Sequence, residues 1–332
     1  MTTVRTEPHG EHMVHVLEDA ASGSSARILA DYGFNCYSFQ CAVAGKRYEL
    51  IDAAPRFADE PSRASGNGTP ILFPFPNRIR DGLFVFDGQQ FELPRNERGV
   101  NAIHGLVIDR PWRVAVVGAE GRAELRGEFH LQRDAPELAS LWPADFVIEM
   151  TYSLAGNRLT SRVRVTNPDS RPLPWGFGTH PYFRLPIGSG GEESQCSVQA
   201  PAAELWELAD LLPTGRKTPI PAMLDLRDGR PMSELKVDHV FSGLTFVNGW
   251  CTCQLTDHAA GIEVTFRFDQ LFRDLVIYIP PRRGTVCLEP YTCVTDAINL
   301  QARGIDSGLR VLMPGESAEG TMVLEAGVWQ NH

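Results

Sequence analysis

The 332-residue sequence lacks the local motifs of several large enzyme classes. It contains no G-x-S-x-G, no G-x-G-x-x-G and no G-x-x-x-x-G-K-[ST], so nothing supports a serine hydrolase, a dinucleotide-binding or a nucleotide-binding protein. No two of its seven cysteines have the C-x-x-C spacing of a zinc or redox site. Free thiols in a reducing cytoplasm are therefore the simplest interpretation.

Positive charge and long apolar runs are also scarce. The formal net charge is -10 and no block of basic residues occurs, which argues against nucleic acid as a partner. No run approaches the roughly 18 apolar residues of a membrane helix, and the N-terminus has no apolar secretory core. We therefore expect a cytoplasmic protein with no membrane partner.

Helical periodicity is nearly absent, and alternation of apolar and polar residues takes its place. Residues 146–154 and 158–165 alternate on either side of an Ala-Gly-Asn turn, which predicts an antiparallel hairpin with one buried face. Residues 262–269 alternate in the same way. Residues 83–86 and 89–93 flank Asp87-Gly88, a favoured hairpin turn. The best helix candidate is the short stretch 201–212.

These patterns predict an all-β protein. Many strands in a chain of this length are expected to form large stacked antiparallel sheets, since one strongly twisted open sheet rarely grows so wide. No linker-like block divides the sequence, so residues 1–332 are predicted to form one domain, with residues 1–20 a candidate flexible segment. His9, His12 and His15 recur every third residue there, but without a nearby cysteine they give little support to a metal site.

Five polar stretches interrupt this β pattern. Each has an ordinary structural explanation, such as a turn, a solvated charge or a packed core histidine. Glu289 is harder to explain in that way, because it follows an apolar run and precedes a proline. A carboxylate in such surroundings tends to have a raised pKa, which suits a general base near neutrality. The stretches are PFPNRIRDG (74–82), NAIHG (101–105), WGFGTHPYFRL (175–185), VDHVF (237–241) and CLEPY (287–291) with DAIN (296–299).

The same stretches resemble a known family. ILFPFPNRIRDGLFVFDGQQFEL, NAIHGLVIDRPW, GFGTHPYF, LLPTG, VDHVFSGL and LEPYTCVTDAIN, in this order, resemble the aldose 1-epimerase (galactose mutarotase) family. The similarity extends from about residue 25 to Gly327. It implies a β-supersandwich of large antiparallel sheets, which agrees with the alternation. It also implies an isomerase that interconverts the α and β anomers of a free aldose.

The resemblance implies catalytic roles for three residues. Glu289, in LEP, matches the general base that removes the C1 hydroxyl proton. His180, in THPYF, matches the general acid that protonates the ring oxygen. His104, in NAIHG, matches the second active-site histidine, which hydrogen-bonds the sugar near that oxygen. The uncatalysed reaction already proceeds in water, so no cofactor and no metal are expected.

Other positions match residues that bind the sugar. Arg78, in NRIRDG, and Asp238, in VDHVF, correspond to residues that hold sugar hydroxyls, and Asn77 is a candidate for the same role. Aromatic residues such as Trp175 or Phe183 are candidates to pack on a sugar face. The only implied partner is a small-molecule sugar, and the protein is expected to be a monomer or a homodimer.

Three positions depart from the family pattern. Arg184 replaces an asparagine after THPYF, and Leu106 replaces a glycine after His104-Gly105. Val276, in LVIYIPP, stands where a glutamine often contacts sugar hydroxyls. This last change leaves the acid–base chemistry intact and implies that the substrate need not be galactose.

Three alternatives remain open at this point. A hexose-6-phosphate 1-epimerase would need extra arginines for the phosphate, for which Arg80, Arg184, Arg282 and Arg283 are candidates. A sugar-binding or regulatory protein of the same fold would need no catalysis, since fold alone does not determine activity. A carbohydrate lyase or hydrolase would need a long substrate cleft, for which the short loops leave little sequence.

Overall fold

Strands dominate the computed structural model, which describes residues 1–119, 122–281 and 284–330. The strands of the first half of the chain are short and follow one another closely. They are Thr2–His9 (β1), His12–Asp19 (β2), Ser24–Leu29 (β3), Asn35–Val43 (β4), Lys46–Glu49 (β5), Ile71–Leu72 (β6), Arg78–Ile79 (β7), Leu83–Phe86 (β8), Gln89–Glu92 (β9), Ala102–Ile103 (β10), Arg113–Ala119 (β11), Arg122–His130 (β12), Val147–Ala155 (β13) and Arg158–Thr166 (β14).

The second half of the chain continues in the same manner. Its strands are Leu173–Trp175 (β15), Gly178–Thr179 (β16), Tyr182–Arg184 (β17), Cys196–Gln199 (β18), Glu204–Ala209 (β19), Leu212–Pro219 (β20), Arg230–Pro231 (β21), Asp238–Ser242 (β22), Trp250–Asp257 (β23), Ile262–Asp269 (β24), Asp274–Tyr278 (β25), Thr285–Tyr291 (β26), Arg310–Leu312 (β27) and Ser317–Val328 (β28).

Helices within the described ranges are few and short. Two α-helices span Leu131–Asp134 (α1) and Ala297–Ala302 (α2). Short 3₁₀ segments lie at Arg80–Gly82, Pro136–Leu141, Glu193–Gln195, Ala222–Leu224 and Met232–Glu234. None of the helices in the described part of the chain is long and apolar enough to cross a membrane.

Two large sheets account for most of the strands in the described residues. One has fourteen strands, in the order β21-β18-β23-β24-β28-β14-β13-β12-β1-β2-β3-β4-β5 with β11 also paired to β12. The other has eight, in the order β20-β19-β22-β25-β26-β16-β6 with β17 also paired to β26. The pairs are antiparallel apart from a single parallel bridge between β1 and β12. The predicted all-β fold of large antiparallel sheets is confirmed.

The predicted hairpins are present. β13 and β14 pair in register from Val147 with Thr166 to Ala155 with Arg158, and β8 pairs with β9 across the Asp87-Gly88 turn. Residues 1–20, suggested by the sequence as a flexible segment, lie largely in β1 and β2, which pair along their full lengths. The helix predicted over 201–212 is wrong, because the middle of this stretch forms β19, which pairs with both β20 and β22.

The main hydrophobic core lies between the two large sheets. Phe183 of β17 in the smaller sheet contacts Phe266 of β24 in the larger one, with ring centroids 5.4 Å apart. The apolar cluster that contains both residues also draws side chains from Leu17 to Ala326. All seven cysteines are buried and free, as the sequence predicted.

The smaller sheet buries side chains on both of its faces. Leu275 and Ile277 of β25 belong to the main core, whereas Val276 between them belongs to a second cluster on the opposite face. Trp206, Val240 and Tyr291 share that second cluster. Because neighbouring residues of a strand point to opposite faces, this outer face of the smaller sheet also carries the functional side chains described next.

Candidate active site

Glu289 and His180 form a buried acid–base pair on the outer face of the eight-stranded sheet. The Nε2 atom of His180 lies 3.2 Å from Oε1 of Glu289, and their side chains are only 8% and 2% exposed. The two residues are far apart in sequence, and the family resemblance implied their roles from the separate motifs THPYF and LEP. The structure therefore brings the predicted acid and the predicted base into direct contact.

The strand pairing explains this contact. Val286 and Leu288 of β26 point into the main core, so Glu289 points to the outer face. β16 and β17, on either side of His180, both pair with β26, at Tyr291 and at Cys287 respectively. The imidazole is therefore held beside the middle of β26, where Glu289 lies.

Two tyrosines enclose the His180 imidazole. The Tyr182 ring stacks on it, with centroids 4.5 Å apart and an interplanar angle of 8°, and the Tyr182 hydroxyl lies 3.3 Å from His180 Nε2. Tyr278 approaches edge-on at 6.2 Å. The predicted aromatic walls were assigned to the wrong residues, because Trp175 and Phe183 are 1% exposed and lie in the main core.

His104 lies against His180 from a neighbouring loop. Their ring centroids are 5.6 Å apart at an interplanar angle of 77°. His104 has a left-handed backbone (φ 67°), which is costly for a residue other than glycine and tends to occur at functional sites. Gly105 follows with φ 78°, and a Cβ atom there would lie 2.1 Å from the Phe73 carbonyl oxygen. Glycine at position 105 is thus required by this backbone path.

Arg78 is held in place by its neighbours. Its guanidinium Nε donates to both oxygens of Glu97, at 2.9 and 2.8 Å, and its Nη2 donates to Glu97 Oε1. Its Nη1 donates to Oδ1 of Asn77 at 2.9 Å. β7, which begins at Arg78, pairs with β10, and the Asn77 carbonyl accepts the His104 backbone N–H. This strand pair therefore joins the sugar-binding candidates to His104.

Asp238 completes the set of predicted residues. It begins β22 and pairs in register with Tyr278 of β25, so it lies on the same face of the sheet as Glu289. It is solvent exposed, yet the surrounding protein raises its pKa by partial desolvation, while the charge of Arg78 acts in the opposite direction. A surface groove of about 600 Å³ lined by Asp238, His239 and Tyr278 adjoins the site.

The electrostatics of the site follow from burial. Burial raises the pKa of Glu289 well above its usual value, and the nearby charge of Asp238 adds to this effect. Burial lowers the pKa of His180 well below its usual value, and it lowers the pKa of His104 to about 3 with a contribution from Arg78. Nδ1 of His104 and Nδ1 of His180 are buried without a hydrogen-bond partner in the described ranges. Two neutral imidazoles are therefore available to a polar ligand.

Val276 lies directly beside the base. It pairs in register with Glu289, is 2% exposed and packs in the second apolar cluster. Its side chain cannot form a hydrogen bond, so the position where the resemblance implies a sugar-binding glutamine is apolar here. The replacement noted from the sequence therefore places a buried apolar side chain directly beside Glu289.

Of the arginines considered for a phosphate, Arg80 and Arg184 lie in the described residues, and each has a carboxylate neighbour other than Glu289. Arg80 is 48% exposed and lies 4.0 Å from Asp296. Arg184 lies at the end of β17 beyond Tyr182, with its Nε 3.5 Å from Asp52. Arg282 and Arg283 lie outside the described residues.

One group of three potential metal ligands was found in the described ranges. His180, Cys287 and Glu289 each offer a ligand atom, and these atoms lie within 4.8 Å of one another. Two of the three are His180 and Glu289, for which the resemblance implies acid and base roles, so a cation bound there would occupy both of these side chains. His9 and His12 of the N-terminal hairpin instead contact separate carboxylates, those of Asp59 and Asp31.

Tyr291 is a site residue that the motifs did not reveal. Its hydroxyl donates to Oε2 of Glu289 at 2.5 Å, and its side chain is fully buried. A sequence signal was present, because residues 289 and 291 of a strand share one face and a buried tyrosine hydroxyl needs a polar partner.

Comparison with known proteins supports the assignment of the fold. The family model described as aldose 1-epimerase matches residues 43–325. A crystal structure of a galactose mutarotase-like protein from Clostridium acetobutylicum superposes with a TM-score of 0.87 at 25% identity, covering 98% of this chain and 99% of that one.

Curated relatives match over shorter parts of the chain at similar identity. The uncharacterized protein YihR of Escherichia coli K12 is 26% identical over 239 residues, which are 71% of this chain and 72% of that protein. Galactose mutarotase of Sus scrofa is 28% identical over 179 residues, which are 50% of this chain and 48% of that protein. The match over residues 43–325 shows that this chain belongs to the aldose 1-epimerase family.

Proposed function

We propose that the protein is a mutarotase that interconverts the α and β anomers of a free aldose. The observation that carries the proposal is the contact of 3.2 Å between His180 Nε2 and Glu289 Oε1. The C1 hydroxyl oxygen and the ring oxygen of a cyclic aldose are bonded to the same carbon. A base and an acid that serve these two oxygens must therefore be neighbours, as these two side chains are.

Ring opening uses the pair in one direction. The Glu289 carboxylate removes the proton of the C1 hydroxyl, and the His180 imidazolium protonates the ring oxygen as the bond between C1 and that oxygen breaks. The product is the open-chain aldehyde. Rotation about the C1–C2 bond exposes the other face of the carbonyl group, and the ring closes with the two groups in reversed roles. Each positioned group contributes on the order of 10²–10⁴-fold to the rate.

Burial is compatible with this cycle because the pair holds one transferable proton throughout. A protonated Glu289 beside a neutral His180 has the same net charge as a carboxylate beside an imidazolium. Burial disfavours either ion alone, whereas at 3.2 Å the two opposite charges stabilise each other. The proton can therefore change sides without any change in the net charge of the site.

The remaining residues orient the sugar. His104 presents a neutral imidazole beside His180 and is suited to hydrogen-bond the sugar near its ring oxygen. Arg78 and Asp238 are assigned to sugar hydroxyls, and Asn77, the third residue that the sequence suggested for this role, accepts a hydrogen bond from Arg78. Positioning of this kind lowers the barrier because the reacting atoms are held in a productive geometry. Val276 favours an aldose other than galactose. The buried free thiols suit a cytoplasmic enzyme.

A polarimetric panel tests the proposal. Freshly dissolved α-anomers of galactose, glucose, arabinose, xylose and fucose are followed with the protein and with an equal amount of heat-denatured protein. Acceleration with at least one free aldose is expected. A much faster reaction with glucose 6-phosphate would replace the proposed substrate by a hexose phosphate. Sugar binding without acceleration of any anomer exchange would identify a binding protein instead.

A further inference from the structure

The two oxygens of the Glu289 carboxyl group have different partners. Oε1 faces Nε2 of His180 at 3.2 Å, whereas Oε2 accepts the hydroxyl proton of Tyr291 at 2.5 Å. Glu289 and Tyr291 are 1% and 0% exposed. Because the Tyr291 hydroxyl is committed to one oxygen, only the other is oriented toward the acid.

The contacts continue from Tyr291 to the proposed sugar-binding arginine. The Asn77 side chain lies close enough to the Tyr291 hydroxyl to lower the pKa of that hydroxyl. The Oδ1 atom of Asn77 accepts from Nη1 of Arg78 at 2.9 Å, and the rest of that guanidinium is held by Glu97. Asn77 and Tyr291 thus lie between Arg78 and Glu289, with hydrogen bonds at both ends of the series.

The backbone around Tyr291 is adapted to hold its ring in place. Gly178 of β16 pairs in register with Tyr291, and a Cβ atom at position 178 would lie 2.3 Å from Tyr291 Cδ1. Asn77 has a left-handed backbone (φ 56°), which asparagine tolerates better than most residues. The glycine makes room for the ring, and the asparagine bridges between Arg78 and Tyr291.

We propose that Tyr291 is a positioning residue for Glu289, and that Asn77 couples it to the sugar-binding Arg78. Tyr291 fixes which carboxyl oxygen acts as the base. Asn77, assigned from the sequence to sugar hydroxyls, acts instead through Tyr291. The inference rests on the proposed function for its effect on turnover, but its effect on the carboxyl group can be measured without any substrate.

The hydrogen bond from Tyr291 favours the charged form of the carboxyl group. It lowers the pKa of Glu289 and so opposes the large effect of burial. Removing the hydroxyl should therefore raise this pKa further, and the base should become active only at higher pH. Among the described residues, the other titratable or charged groups around Glu289 and its partner His180 include His104, Tyr182, Tyr278, Cys287, Asp238 and Arg78.

The variant Tyr291→Phe tests the inference, because it keeps the ring and removes only the hydroxyl. We expect kcat to fall about tenfold to a hundredfold with a much smaller change in KM, as for a small misplacement of a catalytic group. The acidic limb of the kcat–pH profile should move to higher pH. The control Tyr152→Phe removes the hydroxyl of a buried core tyrosine on β13 and should leave the pH profile unchanged.

A second measurement separates this inference from the proposed function. Isotope-edited infrared spectroscopy with ¹³C-labelled glutamate, assigned with Glu289→Gln, reports the pKa of Glu289 directly. A higher pKa in Tyr291→Phe supports the inference even if no aldose is turned over, in which case only the proposed function fails. An unchanged pKa of Glu289 would overturn the inference.

The variant Asn77→Gly tests the coupling. It also provides a second test of the inference if Tyr291→Phe does not fold. Glycine accepts the left-handed backbone of position 77 and removes only the side chain. We expect a fall in kcat and a shift of the pH profile in the same direction as in Tyr291→Phe, but smaller. A rise in KM with an unchanged pH profile would instead show that Asn77 contacts the sugar directly and would overturn the coupling.

Discussion

At the scale of single residues, Arg78 supplies the positive charge of the site. Its charge acts on Glu289, His104 and Asp238, and Glu97 fixes its guanidinium through three hydrogen bonds. Because Glu97 and Asn77 both accept hydrogen bonds from it, the guanidinium keeps one orientation. This arrangement suits a group that both binds a sugar hydroxyl and limits the rise in the pKa of Glu289.

Replacement of Arg78 by alanine should therefore affect both binding and turnover. Loss of a charged hydrogen bond costs about 1.5–3 kcal/mol, or roughly ten- to a hundredfold in kcat/KM. KM should rise because a sugar contact is lost, and kcat should fall because the pKa of Glu289 rises further. Steady-state kinetics on the best free aldose measure both quantities.

Arg80→Ala is the matched control for this prediction. Arg80 lies two residues further along the chain, is 48% exposed and has Asp296 as its carboxylate neighbour. Its loss should change kcat/KM for a free aldose by less than about twofold. Equal effects of the two variants would contradict the role given to Arg78. A large effect of Arg80→Ala confined to a hexose phosphate would favour the phosphorylated substrate.

The sequence predicted individual site residues unevenly. Glu289, His180 and His104 stood in distinctive motifs, and the structure brings all three together. Tyr291 was missed because a tyrosine in a strand has an ordinary explanation as core. Trp175 was misjudged for the opposite reason, since an aromatic residue near a catalytic motif can point to either face of its strand.

At the scale of elements, alternation predicted strands well where one face of the strand is buried and poorly where both faces are buried. β13, β14 and β24 alternate cleanly, and the structure confirms them. β19 was mistaken for a helix because Leu205 faces the main core while Trp206 faces the second cluster. Adjacent apolar residues that face opposite sides of the sheet break the two-residue alternation, so periodicity alone did not identify this strand.

Two glycines of WGFGTHPYF have a packing role near the acid–base pair. A Cβ atom at position 176 would lie 2.3 Å from Sγ of Cys293, and one at position 178 would lie 2.3 Å from the Tyr291 ring. In the structure these glycines make room for the side chains of Cys293 and Tyr291.

Gly178→Ala should consequently displace Tyr291 and, through it, Glu289. Overpacking of this kind typically costs about 1–3 kcal/mol of stability. We expect a lower melting temperature by differential scanning calorimetry, together with a fall in kcat in the folded protein at 25 °C. The loss of kcat should be accompanied by a shift of the acidic limb of the pH profile to higher pH.

Gly327→Ala provides a matched control for the glycine change. Gly327 lies in β28, and a Cβ atom there would meet nothing within 4 Å. This variant should keep the wild-type melting temperature within a degree or two and the wild-type kcat. The packing explanation would be contradicted if Gly178→Ala behaved like Gly327→Ala in both measurements.

At the scale of the whole molecule, the site is assembled by sheet order rather than by sequence order. The strands β22, β25, β26 and β16 lie side by side in the smaller sheet, although the chain visits β16 first. Sequence patterns predicted the fold class, and the family resemblance predicted which residues meet. Alternation alone could not give the order of the strands, because it does not specify which strands pair.

The central proposal is that His180 and Glu289 act as one catalytic unit. The most direct test is a double-mutant cycle with His180→Asn and Glu289→Gln, followed by NMR exchange between the anomers of the best aldose. Each single variant should lose about 10²–10⁴-fold in exchange rate while still binding the sugar, and the double variant should be no more than about tenfold slower than the slower single variant. Near-native exchange in either single variant, or fully multiplicative losses in the double variant, would contradict the account.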